Sequence, residues 1–346
     1  MKTKLIRIDD INSPEARHAI DEAAALIRAG RLVAFPTETV YGLGANALDA
    51  AACLAIFAAK GRPADNPLIV HIADLSMLHT LAAPGDVALK LARAFMPGPL
   101  TLVLPKKPLV PDAVSAGLNT VAIRWPAHNV ARALIQAAGC PVAAPSANIS
   151  GRVSPTTAAH VYADMAGKVP LILDGGPAEI GLESTVVDAC GDTPVILRPG
   201  RVSAEEMARI VGLPIRQAGG EAVERPASPG LKYRHYAPRG ELLLAGDLKQ
   251  ILELRQRLAQ KYGREPLIIA CAETAALLPH GAQSLAIARQ GDLPAYARNI
   301  FAALRQADAE NFPAMVVETA PEVGLGAAIM NRLYKAAGEA GNNFIK

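Results

Sequence analysis

The sequence has few aromatic residues and little excess charge of either sign. Of its 346 residues, 4% are aromatic and 19% are charged, and the formal net charge is only +3 at pH 7. So small a net charge argues against a protein dedicated to binding nucleic acid, because nucleic-acid-binding surfaces carry a strong excess of positive charge. Because 51% of the residues are hydrophobic, the composition also argues against disorder.

Cysteine motifs, long apolar runs and an apolar leader are also lacking. The four cysteines are scattered and form no CxxC pair or short Cys/His spacing, so they are typical of core thiols in a reducing compartment. No apolar run reaches the roughly 18 residues that cross a bilayer. The first ten residues lack the apolar segment of a signal peptide. We therefore expect a cytoplasmic enzyme.

Glycine and proline are plentiful, and the length suggests about two domains. In residues 1–211, many short apolar runs alternate irregularly with amphipathic stretches, which predicts an α+β domain with one twisted, mixed sheet. In residues 241–346, strand and helix patterns alternate regularly. This second rhythm predicts a small α/β domain, Rossmann-like, with a mostly parallel sheet.

Residues 212–240 show no apolar period and are rich in glycine and proline, as in a linker. Yet two tyrosines, a histidine and two basic residues lie between Lys232 and Tyr236. A spacer has no need of aromatic residues, which favours a strap that folds over the active site. Both interpretations stay open.

Common nucleotide motifs are absent or weak. No GxxxxGK[ST] sequence occurs, which excludes a P-loop NTPase. Gly42–Ala47 matches the GxGxxA pattern of dinucleotide-binding folds, but six residues separate it from the end of the preceding apolar run at Phe35. It is weak evidence for a nicotinamide-dependent oxidoreductase.

Several polar residues follow or interrupt apolar stretches. Thr37 comes just after one such run, and His71 lies within another, either as a base or as a packed side chain. Lys60 and Arg62 follow a predicted helix, where they either cap its carboxyl end or bind an anion.

Two arginines lie in predicted strands. A buried guanidinium needs an anionic partner, which for Arg124 is either an internal carboxylate or a ligand. Arg198 ends another apolar strand, and Ser146, Asn148 and Ser184 supply polar groups in nearby loops. Such a group of cations predicts a polyanionic ligand such as a triphosphate, whose transfer requires positioning and charge neutralisation.

Six motifs containing these residues, in the same order and spacing, resemble those of the YrdC-like domain family across roughly residues 10–210. They are Thr37–Leu43, Lys60–Leu68, Pro97–Thr101, Ala144–Asn148, Glu183–Asp188 and Leu197–Gly200. The segment Pro229–Pro238 and the α/β pattern that follows it are similar to the long, two-domain form of the family.

The resemblance implies a nucleotidyltransferase. Its members convert L-threonine, bicarbonate and ATP to threonylcarbamoyl-AMP and pyrophosphate, and the product passes to a complex that modifies tRNA. The resemblance also implies Mg²⁺, held mainly by ATP and water.

By the same resemblance, residues can be assigned to the two substrates. The implied catalytic group around the phosphates consists of Lys60, Arg62, Ser146 and Asn148. The further implied ATP contacts are Asn66, Thr120, Ser154, Arg198 and Tyr236. The implied threonine contacts are Thr37, His71, Arg124, Ala144 and Ser184. Asp65 and Glu183 lie within the motifs without an assigned role, and no general base is identified.

One alternative belongs to another functional class. The basic cluster could grip an RNA backbone without nucleotide chemistry, although the small net charge and the scarcity of aromatic residues argue against this.

Overall fold

The computed structural model describes residues 1–218 and 236–342. These residues form two compact units. The first comprises Met1–Ser150, Ser154–Glu179 and the described residues from Glu183 to 218. The second comprises Gly151–Val153, Ile180–Leu182 and the described residues from 236 onward. Tyr233, Arg234 and His235 of the predicted strap lie outside the described residues.

The first unit is built on a mixed sheet. Its strands are β1 (Lys4–Arg7), β2 (Val33–Phe35), β3 (Gly42–Asn46), β4 (Ile69–His71), β5 (Leu100–Pro105), β6 (Thr120–Arg124), β7 (Val142–Ala143), β8 (Leu171–Asp174), β9 (Thr185–Asp188), β10 (Val195–Arg198) and β11 (Arg216–Gln217). They pair in the order β1-β8-β2-β3-β7-β4-β6-β5-β9-β10-β11. Parallel and antiparallel neighbours alternate irregularly along the sheet.

Helices cover both faces of this sheet. They are α1 (Pro14–Arg28), α2 (Ala50–Lys60), α3 (Leu75–Leu81), α4 (Asp86–Phe95), α5 (Asp112–Ser115), α6 (Asn129–Ala138), α7 (Ala158–Met165) and α8 (Ala204–Val211). One apolar cluster joins the sheet to residues of α2 and α4, and another joins it to α1 and α6. Helix α8 begins with the capping box that Ser203 and Glu206 predict.

Helix α2 shows how local sequence aims a functional side chain. Asp49 caps its amino end by accepting hydrogen bonds from two backbone N–H groups, and Gly61, at φ 60°, ends it in the left-handed conformation. The buried positions of α2 include Ile56, Phe57 and Lys60. Lys60 therefore lies on the face that packs against the core.

The glycine-rich segment does not form a dinucleotide-binding turn. Gly42–Asn46 is strand β3, which pairs antiparallel with β2 and β7. A Cβ on Gly44 would lie 2.8 Å from both Phe35 Cε1 and Val142 Cγ1. These glycines make room for the Phe35 ring, and the dinucleotide interpretation is wrong.

The second unit contains a small parallel sheet. Its elements are β12 (Glu241–Ala245), α9 (Leu248–Tyr262), β13 (Leu267–Cys271), α10 (Ala272–Ala276), β14 (Ser284–Ala288), α11 (Leu293–Ala309), β15 (Ala314–Glu318) and α12 (Leu325–Asn342). The strand order is β12-β15-β13-β14, with every pair parallel. The two sheets agree with the predicted two-part α/β architecture. Among the described residues, no helix combines the length and apolar composition needed to cross a membrane.

Candidate active site

A row of polar side chains crosses one face of the first unit's sheet. His71 on β4 pairs with Arg124 on β6, and Val186 on β9 pairs with both Thr101 on β5 and Arg198 on β10. Continuing the β5–β6 register by one residue places Thr101 opposite Arg124. Directly paired residues project to the same face. The register therefore brings these buried polar groups together.

The loop after β2 folds onto this row at Arg124. Arg124 Nη1 donates to Thr39 Oγ1 at 2.7 Å, and Arg124 Nη2 lies 2.6 Å from Glu38 Oε1. Thr37 Oγ1 donates to the Val40 carbonyl at 2.6 Å, which closes the loop on itself. Of the two partners considered for Arg124, the structure therefore contains the internal carboxylate.

The ion pair sets the protonation of its neighbours. Burial raises the pKa of Glu38, but the charge and hydrogen bond of Arg124, together with the backbone N–H groups of Glu38 and Ala127, more than offset this effect, and the net pKa is lowered. Burial and the same guanidinium lower the pKa of His71 to about 3. His71 is therefore a neutral, packed imidazole with Nδ1 3.2 Å from the Ile69 carbonyl and its ring edge-on to Phe35.

Arg198 and Ser184 are joined to each other and to the row. Arg198 donates from Nε and Nη2 to the Ser184 carbonyl at 3.2 and 3.0 Å. The Ser184 hydroxyl lies 2.7 Å from that of Thr101. Arg198 thus orients the segment that carries Ser184.

Lys60 meets the loop after β7. Its ammonium donates to the carbonyls of Ser146 and Asn148, the latter at 2.6 Å. The Ser146 hydroxyl donates to Asn148 Oδ1 at 2.5 Å. These three predicted residues therefore form one connected group, and Arg62 donates to the Asn66 carbonyl at 3.1 Å nearby in sequence.

Ala144 lies along the chain between the strand that faces His71 and the loop that contacts Lys60. Its N–H donates to the Ile69 carbonyl at 2.8 Å, and β7 runs antiparallel to β4, with Val142 opposite His71. Beyond Ala144 the chain therefore runs away from His71, toward the start of β4 and Asn66. This arrangement suits an elongated ligand with chemically different ends.

Among the described residues, buried polar atoms without hydrogen-bond partners lie at Asn66 and at the Glu38–Arg124 pair. Within the described part of the chain, neither Oδ1 nor Nδ2 of the fully buried Asn66 has a hydrogen-bond partner. The same holds for both carboxylate oxygens of Glu38 and for Arg124 Nη2, which meet as charges without an aligned hydrogen bond. Native proteins rarely leave such atoms without a partner, so both places are candidate contacts for a ligand.

Other predicted residues lie elsewhere. Thr120 begins β6, at the opposite end of the strand from Arg124. Ser154 is buried and donates to Glu183 Oε1 at 2.5 Å. Tyr236 belongs to the second unit, where its ring stacks on Phe301. Asp65 is exposed.

The residue assignments made from the sequence did not include Glu38, Thr39 or Thr101, although the motifs Thr37–Leu43 and Pro97–Thr101 contain them. The sequence indicates that a buried Arg124 demands an anion, but it does not show that Glu38 supplies it. The signal for Thr101 required the strand register, which depends on long-range pairing. Within the described ranges, no group of three or more His, Cys, Asp or Glu side chains could hold a metal ion.

Comparison with known proteins places the chain in a family. Residues 25–200 match the Sua5–YciO–YrdC family model, described as telomere recombination, and residues 202–338 match the model for the C-terminal domain of threonylcarbamoyl-AMP synthase.

Full-length relatives extend this match. The threonylcarbamoyl-AMP synthases of Pyrococcus abyssi and Bacillus subtilis are 47% and 46% identical to the chain, over 91% and 98% of its length and 93% and 99% of their own. The crystal structure of P. abyssi Sua5 in complex with L-threonine aligns with a TM-score of 0.90 at 45% identity, covering 97% of this chain and 98% of that one. The chain therefore belongs to the threonylcarbamoyl-AMP synthase family of transferases, in its two-domain Sua5 form.

Proposed function

We propose that the site in the first unit carries out the family's reaction, in which L-threonine, bicarbonate and ATP give threonylcarbamoyl-AMP and pyrophosphate. The threonine nitrogen takes up bicarbonate as a carbamate, with loss of water. A carbamate oxygen then attacks the α-phosphorus of ATP, and pyrophosphate leaves. Because two anions must approach each other, the protein has to position them and offset their charges.

The threonine end of the site lies at the part of the polar row that contains His71 and Arg124. Arg124 is suited to the substrate carboxylate because a guanidinium makes charge-assisted hydrogen bonds with carboxylates. Thr37, His71, Ala144 and Ser184 complete the proposed contacts, with His71 acting as a neutral group. Ala144 has no polar side chain and offers only backbone groups.

The ATP end lies at Lys60 and the loop after β7. The Ser146 and Asn148 carbonyls orient the Lys60 ammonium, and we assign Lys60, Arg62, Ser146 and Asn148 to the phosphates. Asn66, Thr120, Ser154, Arg198 and Tyr236 are the further proposed ATP contacts. The unpaired Asn66 amide is the strongest of these, because it is buried with both donor and acceptor unused among the described residues.

A Mg²⁺ ion fits this chemistry as a companion of ATP. The described residues contain no cluster of carboxylates to cage the ion. Phosphate oxygens and water would therefore hold it, as is usual for Mg²⁺ with nucleotides, and its charge would neutralise the phosphates. We further propose that the product passes to a tRNA-modifying complex and that the enzyme works in the cytoplasm.

The observation that carries this proposal is the pair of buried, unsatisfied polar groups at Glu38–Arg124 and at Asn66, connected by Ala144–Asn148. It is tested by titrating the purified chain with ATP and with L-threonine in a calorimeter. We expect Lys60→Ala to weaken ATP binding at least tenfold and to leave threonine binding nearly unchanged, because one charge-assisted contact is lost. Arg124→Gln should weaken threonine binding at least tenfold and leave ATP binding nearly unchanged. A variant pair that affects both ligands equally would contradict the proposed division of the site.

A further inference from the structure

The ion pair at the threonine end contains a carboxylate that none of the proposed contacts uses. Glu38 is 4% exposed and follows Thr37 in the loop that folds onto Arg124. We propose that Glu38 binds the ammonium group of threonine and thereby makes the site select a zwitterion. This inference rests on the proposed function, since it concerns the same substrate in the same site.

The charges of the pair match those of an amino acid. Threonine carries its carboxylate and its ammonium group on the same carbon atom. Arg124 Nη2 and Glu38 Oε1 carry opposite charges and lie 2.6 Å apart. A lone buried arginine would attract any small anion, including bicarbonate and phosphate. A neutral pair gives little net attraction to an anion but complements a molecule that carries both charges.

The hydrogen-bonding capacity of the pair is also available. Arg124 uses Nη1 on Thr39 and Nε on the Gly98 carbonyl at 3.3 Å, whereas Nη2 makes no aligned hydrogen bond among the described residues. Both oxygens of Glu38 likewise lack a well-aligned hydrogen bond in that part of the chain, and the Arg124 guanidinium and the backbone N–H groups of Glu38 and Ala127 face the carboxylate without filling all its acceptor positions. A carboxylate offers about four acceptor positions and an ammonium three donors. The unmet acceptors and the ligand's donors are complementary.

Glu38 remains ionised in this environment. Burial raises the pKa of Glu38, but Arg124 and the nearby backbone N–H groups together outweigh this effect and keep the pKa low. The group is therefore a poor proton acceptor and a good partner for a cation. Its role is to hold the nitrogen in place, and the proton that the ammonium group loses on carbamate formation passes to water.

Neighbouring acids do not offer the same arrangement. Glu183 accepts a hydrogen bond from Ser154. Asp9, Asp10 and Glu179 are exposed and line a cavity of about 340 Å³ that Glu38 also borders. Of the acids in this region that the structure describes, Glu38 is the one in ion-pair contact with Arg124.

The test compares two ligands that differ by the ammonium group. Calorimetric titrations with L-threonine and with 3-hydroxybutyrate, its deaminated analogue, are made on the wild-type chain, on Glu38→Gln and on Glu179→Gln. We expect the wild type to prefer threonine at least tenfold. Glu38→Gln should bring this ratio close to one by weakening threonine binding, whereas Glu179→Gln should keep the wild-type ratio.

The outcomes separate this inference from the function on which it rests. A wild-type chain that binds no threonine overturns the proposed function. Threonine binding with an unchanged ratio in Glu38→Gln overturns only the role of Glu38, because a purely structural residue affects both ligands alike. If thermal melting shows that Glu38→Gln does not fold, the test is the ratio of the wild-type affinities for L-threonine and 3-hydroxybutyrate. Equal wild-type affinities for the two ligands would reject the inference.

Discussion

At the scale of single residues, the site depends on how a buried arginine is neutralised. Arg124 lies inside a strand of apolar residues, and its sequence context alone demands an anion without saying which one. The structure supplies Glu38, which lies 86 positions earlier in the chain and reaches Arg124 only because the loop after β2 folds back over β6. Contacts of this kind depend on tertiary folding, and residue spacing cannot reveal them.

Replacing one residue of this ion pair should lower the stability of the fold more than replacing both. We expect Arg124→Gln to lower the free energy of unfolding by about 3–5 kcal/mol, because it leaves the Glu38 charge buried without its partner. The double variant Glu38→Gln, Arg124→Gln should recover most of that stability without recovering threonine binding. Urea denaturation provides the measurement. If the loss of stability in the double variant equals the sum of the losses in the two single variants, the two residues act independently.

The neutral state of His71 has a consequence for stability. Its pKa is about 3 in the folded chain, whereas an unfolded chain titrates near the ordinary value of 6.5. Between these values only the unfolded state takes up the proton, so stability falls as the pH is lowered through this range, by at most about 1.4 kcal/mol per pH unit.

Replacing His71 by glutamine should remove this contribution. Urea midpoints measured from pH 7 to pH 4 should fall less steeply for His71→Gln than for the wild type. Identical slopes would mean that the pKa of His71 does not differ between the folded and unfolded chains. The prediction concerns the difference between the two slopes, since other buried groups titrate in both proteins.

At the scale of elements, periodicity predicted most helices and strands of the first unit well. In helix α6 and strand β9, the apolar positions of the sequence match the burial that each element receives. Strands β1 and β14 both lie at sheet edges, and their residues are largely exposed. Where an edge strand buries little, its sequence carries no clear alternation.

Strand β3 was misinterpreted because its glycines serve packing and not a turn. We expect Gly44→Ala to destabilise the chain by about 1–3 kcal/mol, since its Cβ would collide with Phe35 and Val142. Gly191→Ala is the matched control, because a Cβ there meets nothing within 4 Å. Thermal melting of the two variants tests this. Equal melting temperatures would show that the Phe35 ring yields to the added methyl group.

At the scale of the whole molecule, the two units divide the chemistry unequally. The polar row and the Lys60 group both belong to the first unit. Residues 241–346 carry equal numbers of acidic and basic side chains, so the net charge of +3 lies in the first 240 residues. The parallel sheet of the second unit could be predicted from its regular alternation, but that pattern specifies a fold and not a function.

The RNA-binding alternative fits the whole molecule poorly. Lys60, Arg124 and Arg198 are each less than 5% exposed, and Arg124 is paired with Glu38. A nucleic-acid backbone is recognised by cations that reach its phosphates along an accessible surface. These buried side chains suit a small ligand that enters the fold.

The most direct test of the account is pyrophosphate release from ATP by the purified, full-length chain, measured with and without L-threonine and bicarbonate. The account predicts that release requires both co-substrates and that omitting either one reduces it to background. Pyrophosphate release at an undiminished rate without threonine or without bicarbonate would contradict it.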